Sequence, residues 1–317
     1  MWLNQKTILI TGGTGSFGSA LTKKLLTTKL KKLIIFSRDE LKQFEMAQKF
    51  KNERLRFFVG DVRDKDRLYR AFDGVDFIIH AAALKQVPSC EYNPFEAVKT
   101  NILGTQNVID AAIDRNIKKA MIISTDKSVQ SLNLYGSTKA CAEKLFVAGN
   151  SYSGKNNTKF SVVRYGNVVG SRGSVLPFFK QLAHTGKLPI TDERMTRFWI
   201  TLDNAITFVL NCFKNMNGGE IFVPKIPSVR ITDLAEAVCP KYEKEIVGIR
   251  PGEKLHELLI TEEEARRTID TNCYLIQPEF SWWTKKEIEG KIVPEGFSYC
   301  SGTNDVWLTV DELRDLI

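Results

Sequence analysis

Lys6-Thr7-Ile8-Leu9-Ile10-Thr11-Gly12-Gly13-Thr14-Gly15-Ser16-Phe17-Gly18 runs from a short apolar segment into a glycine-rich turn and on into an amphipathic, helix-like pattern. Gly12 permits a tight turn, Gly15 lets backbone approach a pyrophosphate, and Gly18 allows close packing of helix on strand. The helix start then turns unpaired N–H groups toward the phosphates. A glycine pattern alone would mean only a turn. The strand before it and the helix after it make dinucleotide binding the reading.

Outward from that loop the same alternation continues: KLIIFS (32–37), LRFFVG (55–60), VDFIIH (75–80), AMIIST (120–125) and FSVVRYG (160–166), separated by helical patterns that include 95–115 and one beginning near Tyr135. Strands that are apolar at almost every position belong to a parallel sheet covered on both faces. The expected fold is therefore α/β, a Rossmann-type doubly wound parallel sheet. Past Tyr165 the regularity gives way to Gly/Pro-punctuated segments such as GSRGSVLPFF, GKLPIT and RPGEKLHE. Residues 1–165, completed by about 196–228, are expected to form the dinucleotide domain, and 166–195 with 229–317 a smaller, loop-rich α/β substrate domain across a cleft.

Composition narrows the classes. With 317 residues, 43% hydrophobic and 26% charged, the chain can bury a large core. No apolar run approaches a membrane span and no secretion signal is read, so a cytoplasmic protein is expected, with no membrane partner. The six cysteines fall without CxxC or Cys/His grouping, which fits neither a disulfide framework nor a metal site. The net charge of +8 is spread along the chain rather than gathered in a stripe, arguing against nucleic acid and for anionic small molecules in a cleft.

At the end of the second strand, where NAD binders carry an acid, stand Ser37 and Arg38, with Lys42 one helical turn on. A hydroxyl and two cations suit a 2′-phosphate, so NADP is the expected cofactor. Asp39 and Glu40 argue the other way, and a solvated helix start explains the same residues. Asp61 after the third strand either meets adenine or caps the next helix. Ala81 and Ala82 follow His80 with side chains small enough for a flat cofactor, while His80 itself reads as a packed strand-end residue.

The strand AMIIST ends in Ser124-Thr125-Asp126-Lys127, on the carboxyl edge where open α/β sheets bind ligands. Tyr135 and Lys139, four apart, share a helix face, where the ammonium can depress the phenol pKa and bind cofactor ribose. That spacing arises easily by chance, and its position carries the reading. Asp126 and Lys127 add an acid and an amine to a hydride-transfer site. Once carbon 4 of a hexose is a ketone, the proton on carbon 5 becomes acidic, and a base there with an acid at the 6-hydroxyl would expel water. An exposed loop ion pair is the competing account.

TGGTGSFG, SRDELKQFEM, GDVRD, HAAALKQVP, STDKSV with NLYGSTK, RYGNVVGSRGSV, RMTRFW, RPGEKLHE and FSYCSGTNDVWLT, spread over nearly the whole chain, resemble the extended short-chain dehydrogenase/reductases. Within them they are similar to the 5-inverting UDP-N-acetylglucosamine 4,6-dehydratases, whose TDK stands where dTDP-glucose dehydratases have TDE. The resemblance implies that Tyr135 deprotonates the 4-hydroxyl, NADP accepts the carbon 4 hydride and returns it to carbon 6, Lys127 removes the carbon 5 proton and Asp126 protonates the departing hydroxyl, with Thr125 and Lys139 beside them. It implies cofactor contacts from Gly12, Thr14, Gly15, Ser16, Phe17, Gly18, Ser37, Arg38, Lys42, Asp61, Val62, Ala81, Ala82, Lys85, Asn101, Ser124, Tyr135 and Lys139. For a UDP-sugar it implies Asn167, Arg172, Ser174, Val175, Arg250 and Glu253; Lys85 and Arg197 stand either near the sugar or in structural salt bridges. His256 and Glu257 are expected to pack or cap. Retaining relatives are longer, carry membrane spans and lack the tyrosine, so Tyr135 favours inversion. The family also implies a homo-oligomer.

Two departures stand out. Gln86 occupies the place of a family histidine, and Gln130-Ser131 replaces Asn-Pro. If that histidine returns the proton to carbon 5, inversion here would be slow or incomplete, and a retaining dehydratase or a 4-oxidase/5,6-dehydratase comes into view. A non-catalytic NADP-sensing protein is a more distant alternative, disfavoured by the retention of Asp126, Lys127, Tyr135 and Lys139.

Overall fold

The computed structural model describes residues 2–170, 175, 176, 179, 186–283 and 290–317, and of Ser281 the backbone only. The apolar runs form β1 (Thr7–Thr11), β2 (Lys32–Ser37), β3 (Leu55–Val59), β4 (Phe77–His80), β5 (Lys119–Ile123) and β6 (Lys159–Val163). β1 and β4 are buried at every position, which is why both read as unbroken apolar stretches rather than as alternation. All six pair in parallel, in the order β3-β2-β1-β4-β5-β6. The chain moves outward to one side from β1 and then to the other from β4. Such a reversal opens a crevice at the carboxyl ends of the two central strands.

Between the strands lie α1 (Ser16–Leu26), α2 (Glu40–Phe50), α3 (Lys65–Ala71), α4 (Val87–Tyr92), α5 (Pro94–Val98), α6 (Gly104–Asp114) and α7 (Leu134–Tyr152). α6 neighbours both α3 and α7, and α1 neighbours the helix Leu202–Asn215, so the sheet is covered on both faces. The helix expected over 95–115 is interrupted by a π-helical turn at Lys99–Leu103. At this turn Asn101 is buried, its amide bonded to Leu84 O and Leu84 N at 2.8 Å each and to Thr138 Oγ1 at 2.9 Å.

The sheet does not stop at β6. Ile221–Val223 adds in parallel, and Tyr274–Ile276, Thr268–Asp270 and Lys291–Ile292 follow antiparallel, making ten strands. The last three come from 229–317, a stretch read on sequence as belonging with the substrate lobe. With two or three residues each, they carry no periodicity to read. A second core, around Trp199, Val229, Ile231, Leu234 and Leu313, holds the strand Thr196–Ile200 against Ser228–Arg230.

Candidate active site

One cleft of about 1110 Å³ follows the carboxyl edge of the sheet from β2 past β1 to β5 and on to the 250–257 loop. At its centre β1 turns at Gly12, whose φ is +66°, and a side chain there would lie 2.8 Å from Ala82 N and 2.9 Å from Ala81 O. α1 then starts with Gly15 extended at its N-cap and no side chain capping it. Thr14, Gly15, Ser16, Phe17 and Gly18 all line the cleft. A close-approach cradle ending on an uncapped helix start fits the pyrophosphate of a dinucleotide.

At the β2 end Ser37 accepts a hydrogen bond from the buried Gln43 at 3.0 Å, and Arg38, 54% exposed, holds its guanidinium 3.8 Å from Asp61. Asp39 caps α2, accepting from Lys42 N at 3.0 Å, and also pairs with the Lys42 ammonium. The acid that argued for NAD is thus engaged in starting a helix. Asp61 is not a cap, since α3 is capped by Asp64. Burial works against ionisation of Asp61, but its bonds to Arg63, at 2.7 and 2.9 Å, hold the carboxyl below its usual range. Val62, Ala81 and Ala82 also line the cleft.

Asn101 does not. Expected among the cofactor contacts, it has both amide atoms committed to Leu84 and Thr138, tying the segment after β4 to α7. His80 packs, as its position suggested: it lies between Thr11 Oγ1 at 2.6 Å and Thr105 Oγ1 at 3.2 Å, and burial pushes its pKa down to about 3.

Beyond β5 the chain passes through Ser124 and Thr125 into a tight turn, Asp126–Ser128. Ser124 and Ser128 both donate to Glu143 of α7, and Glu143 grips Arg164 at 2.6 Å, so the turn is fixed by a buried ionic network. Asp126 is 1% exposed, which excludes the exposed loop pair. Its Oδ1 accepts from Thr125 Oγ1 at 2.9 Å and from Lys127 Nζ at 3.1 Å. Burial, and next the charge of Glu257, raise its carboxyl above the ordinary range. Lys127 is pulled the other way: burial favours the neutral amine, but Asp126 and Glu257 outweigh it and hold the ammonium.

Tyr135 lies on the first turn of α7, its phenol pushed up to about 12 by burial against the pull of Lys127 and a hydrogen bond with Thr125. Lys139 was expected to be the cation acting on it. Instead its Nζ donates to Ile123 O at 2.8 Å, and burial brings it down to about 8. The charge that reaches the phenol is that of Lys127.

The opposite wall comes from the second core and the RPGEKLHE loop. Asn167, Val175, Arg197, Arg250 and Glu253 line it, as does Lys85 from the segment after β4; Arg172 and Ser174 lie outside the described residues. Arg197 lines the cleft, and its guanidinium bonds Thr196 O at 2.7 Å and approaches Glu257 at 3.7 Å, the salt bridge of its second reading. Glu257, read on sequence as a packing residue, instead accepts from Lys127 Nζ at 3.2 Å. Among the described residues seven buried side-chain polar atoms have no hydrogen-bond partner, and five of them, Thr100 Oγ1, Asp126 Oδ2, Asn167 Oδ1, Glu253 Oε2 and Glu257 Oε2, belong to residues that line this cleft. Orphaned polar atoms are costly, and so many in one cleft mark where a polar ligand satisfies them.

The fold and its carboxyl-edge cleft are those of a Rossmann-type short-chain dehydrogenase/reductase. Residues 8–279 match the polysaccharide biosynthesis protein family, and the chain belongs to that family. It is 54% identical to the inverting UDP-N-acetylglucosamine 4,6-dehydratase of Campylobacter jejuni, covering 99% of this chain and 98% of that one. A UDP-glucose 4-epimerase of Rickettsia felis is 44% identical over 98% of this chain and 95% of its own. The crystal structure of Pen from Bacillus thuringiensis superposes with a TM-score of 0.93 at 38% identity, covering 100% of this chain and 98% of Pen. Among the described residues no helix is long and apolar enough to cross a membrane, and no group of His, Cys, Asp and Glu could hold a metal ion.

Proposed function

We propose that the protein is a hydro-lyase that removes water across carbons 5 and 6 of UDP-N-acetylglucosamine, with NADP as cofactor and inversion at carbon 5. The observation that carries this is the ion pair of the buried Asp126 with the half-buried Lys127, both facing the same cleft as Tyr135. When bound, the nicotinamide supplies a reversible acceptor for one hydride, taken from carbon 4 and given to carbon 6. Gly12, Gly15 and the start of α1 hold its pyrophosphate, and Ser37, Arg38 and Lys42 receive the 2′-phosphate.

Tyr135 takes the proton of the 4-hydroxyl as a phenolate, the form that the charge of Lys127 and the hydrogen bond with Thr125 favour against burial, its own proton having gone to solvent. Lys127 then removes the carbon 5 proton, the electron pair forms the carbon 5–carbon 6 double bond, and the 6-hydroxyl leaves as water with the proton of Asp126. As carbon 6 regains the hydride, carbon 5 takes a solvent-derived proton on the face opposite Lys127, which inverts it. The elimination needs a neutral amine and a protonated acid. The ion pair differs from that state by one proton moved along a 3.1 Å hydrogen bond, and burial, which penalises separated charge, favours the move. Arg250 binds diphosphate oxygens and Glu253 ribose hydroxyls, with Asn167, Arg172, Ser174 and Val175 around the sugar. The name of the 54% identical relative supports substrate, elimination and inversion together.

A 4-epimerase is the second reading, favoured by the 44% identical relatives. Epimerisation needs only oxidation and return of hydride at carbon 4, which leaves an acid–amine pair without a task. Incubation with UDP-N-acetylglucosamine in deuterium oxide separates the two. The expected product is a 4-keto-6-deoxy sugar carrying deuterium at carbon 5 with inverted ring couplings. A galacto-configured product, retained couplings or vinyl protons would each overturn part of the assignment.

Cofactor choice has its own test. Wild-type protein should bind NADP at least about tenfold more tightly than NAD, and Arg38→Ala should remove most of that difference, one charge-assisted bond being about 1.5–3 kcal/mol. Equal affinities by calorimetry would end the NADP assignment.

A further inference from the structure

The proposed elimination gives every group in the Asp126–Lys127–Tyr135 cluster a task and leaves Glu257 with none. Yet Glu257 is 2% exposed and touches the base itself, its Oε1 lying 3.2 Å from Lys127 Nζ. Its backbone is clamped on both sides: N donates to Ser301 Oγ at 2.8 Å, and Ser301 N donates to its carbonyl at 2.8 Å. Ser301 is tied in turn to Thr196 at 2.8 Å, so the carboxylate stands on a rigid seat built by the end of the chain. A residue needed only for charge balance does not require such fixing.

We propose that Glu257 is the positioning residue for Lys127, fixing its amine toward the sugar and stabilising the ammonium that forms as the carbon 5 proton arrives. The inference rests on the dehydratase reading and deepens it. A neutral amine has two N–H groups and one lone pair. The proton shift leaves the lone pair facing Asp126 Oδ1, and with Glu257 accepting one N–H the amine can turn about Cε–Nζ only so that the lone pair comes to the cleft. When the proton arrives, positive charge develops 3.2 Å from a fixed carboxylate in a buried site, where such an interaction is much stronger than in water. A buried carboxylate beside a catalytic imidazole acts on the same principle.

Glu257 faces Lys127 and Asp126 from the turn after β5, Arg197 at 3.7 Å from the strand Thr196–Ile200, and Lys254 at 3.9 Å from its own loop. Lys85 and Tyr135 complete the charged and titratable wall around Lys127. Removing the negative charge makes Lys127 a weaker base and Asp126 a stronger acid. Both changes lower a pKa.

Glu257→Gln keeps the volume and a hydrogen-bond acceptor while deleting the charge. The kcat for 4-keto-6-deoxy sugar formation should fall roughly 10–100-fold, the loss of one to two units of basicity, with KM for UDP-N-acetylglucosamine little changed. Both limbs of the kcat–pH profile should move to lower pH by about one unit. Reduced nicotinamide absorbance should build up in a single turnover, because oxidation at carbon 4 runs through Tyr135, whose partners Lys127 and Thr125 stay in place in this variant. Glu257→Asp, which keeps the charge but withdraws it by one methylene, should lower kcat while leaving the limbs in place. Limbs that stay put in Glu257→Gln, or an unchanged kcat in Glu257→Asp should the first variant not fold, overturn the assignment of Glu257 alone. A wild-type protein that forms no 4-keto sugar overturns the dehydratase reading and this assignment with it.

Discussion

Asp126→Asn combined with Lys127→Met should slow water loss from UDP-N-acetylglucosamine by about 10³-fold or more while leaving oxidation at carbon 4 measurable. An asparagine cannot give a proton to the leaving 6-hydroxyl, and a methionine cannot take one from carbon 5. Each transfer is ordinarily worth about 10²–10⁴-fold. The losses should not multiply, because either change alone already stops the concerted step. Replacing both residues also protects the test against misfolding. The pair lies against buried protein, and deleting one member would strand the other as an uncompensated charge. Deleting both removes one positive and one negative charge, and Glu257 retains Arg197 and Lys254. Mass spectrometry of the quenched nucleotide sugar reads the missing water, and nicotinamide absorbance reads the oxidation. If the double variant dehydrates the sugar at the wild-type rate, the chemistry assigned to these two residues is wrong.

How far the sequence exposes this site depends on the range over which each feature is encoded. The glycine loop is legible because strand, turn and helix start are contiguous, and so are β1 and β4, whose burial at every position makes them near-continuous apolar runs. Asp126 and Lys127 are legible as a pair of types but not in their surroundings. Lys127 is held between Asp126 and Glu257, 130 residues further on, which in sequence is one acid among many. The signal that could have singled it out is local: Arg250, Lys254 and Glu257 fall within one loop of eight residues, RPGEKLHE, an acid set among cations. Asn101 errs in the opposite direction. A polar residue near the cofactor strands invites a ligand role, but its partners Leu84 and Thr138, 17 and 37 residues away, consume both amide atoms. The two readings of Asp61 part only when Asp64 is seen to cap α3. The antiparallel strands within 268–292 are set by pairing partners rather than by any pattern of their own.

Arg164→Leu should lower the free energy of unfolding by about 3–5 kcal/mol, the effect of removing one partner from a buried ionic group. Just past the end of β6 the guanidinium bonds Glu143 at 2.6 and 3.2 Å, Glu264 at 2.9 and 3.0 Å, and Leu259 O at 2.8 Å. It is 4% exposed, and no water can take over those bonds without opening the core. Acid should narrow the gap between variant and wild type. Burial opposes ionisation of Glu264, but Arg164 overrides it and holds the carboxyl below its usual range. A depressed folded-state pKa contributes stability above the unfolded value of about 4.3 and loses it as pH falls through the folded value. The wild type therefore weakens over that interval. In the variant Glu264 has lost its cation, so protonation relieves a buried charge instead of breaking a bond, and acid costs it less. Denaturant titrations at neutral pH and near pH 3 measure both quantities. A variant as stable as wild type at neutral pH would mean that Glu143 and Glu264 find other partners, and that the turn bearing Asp126 is not fixed through Glu143 and Arg164.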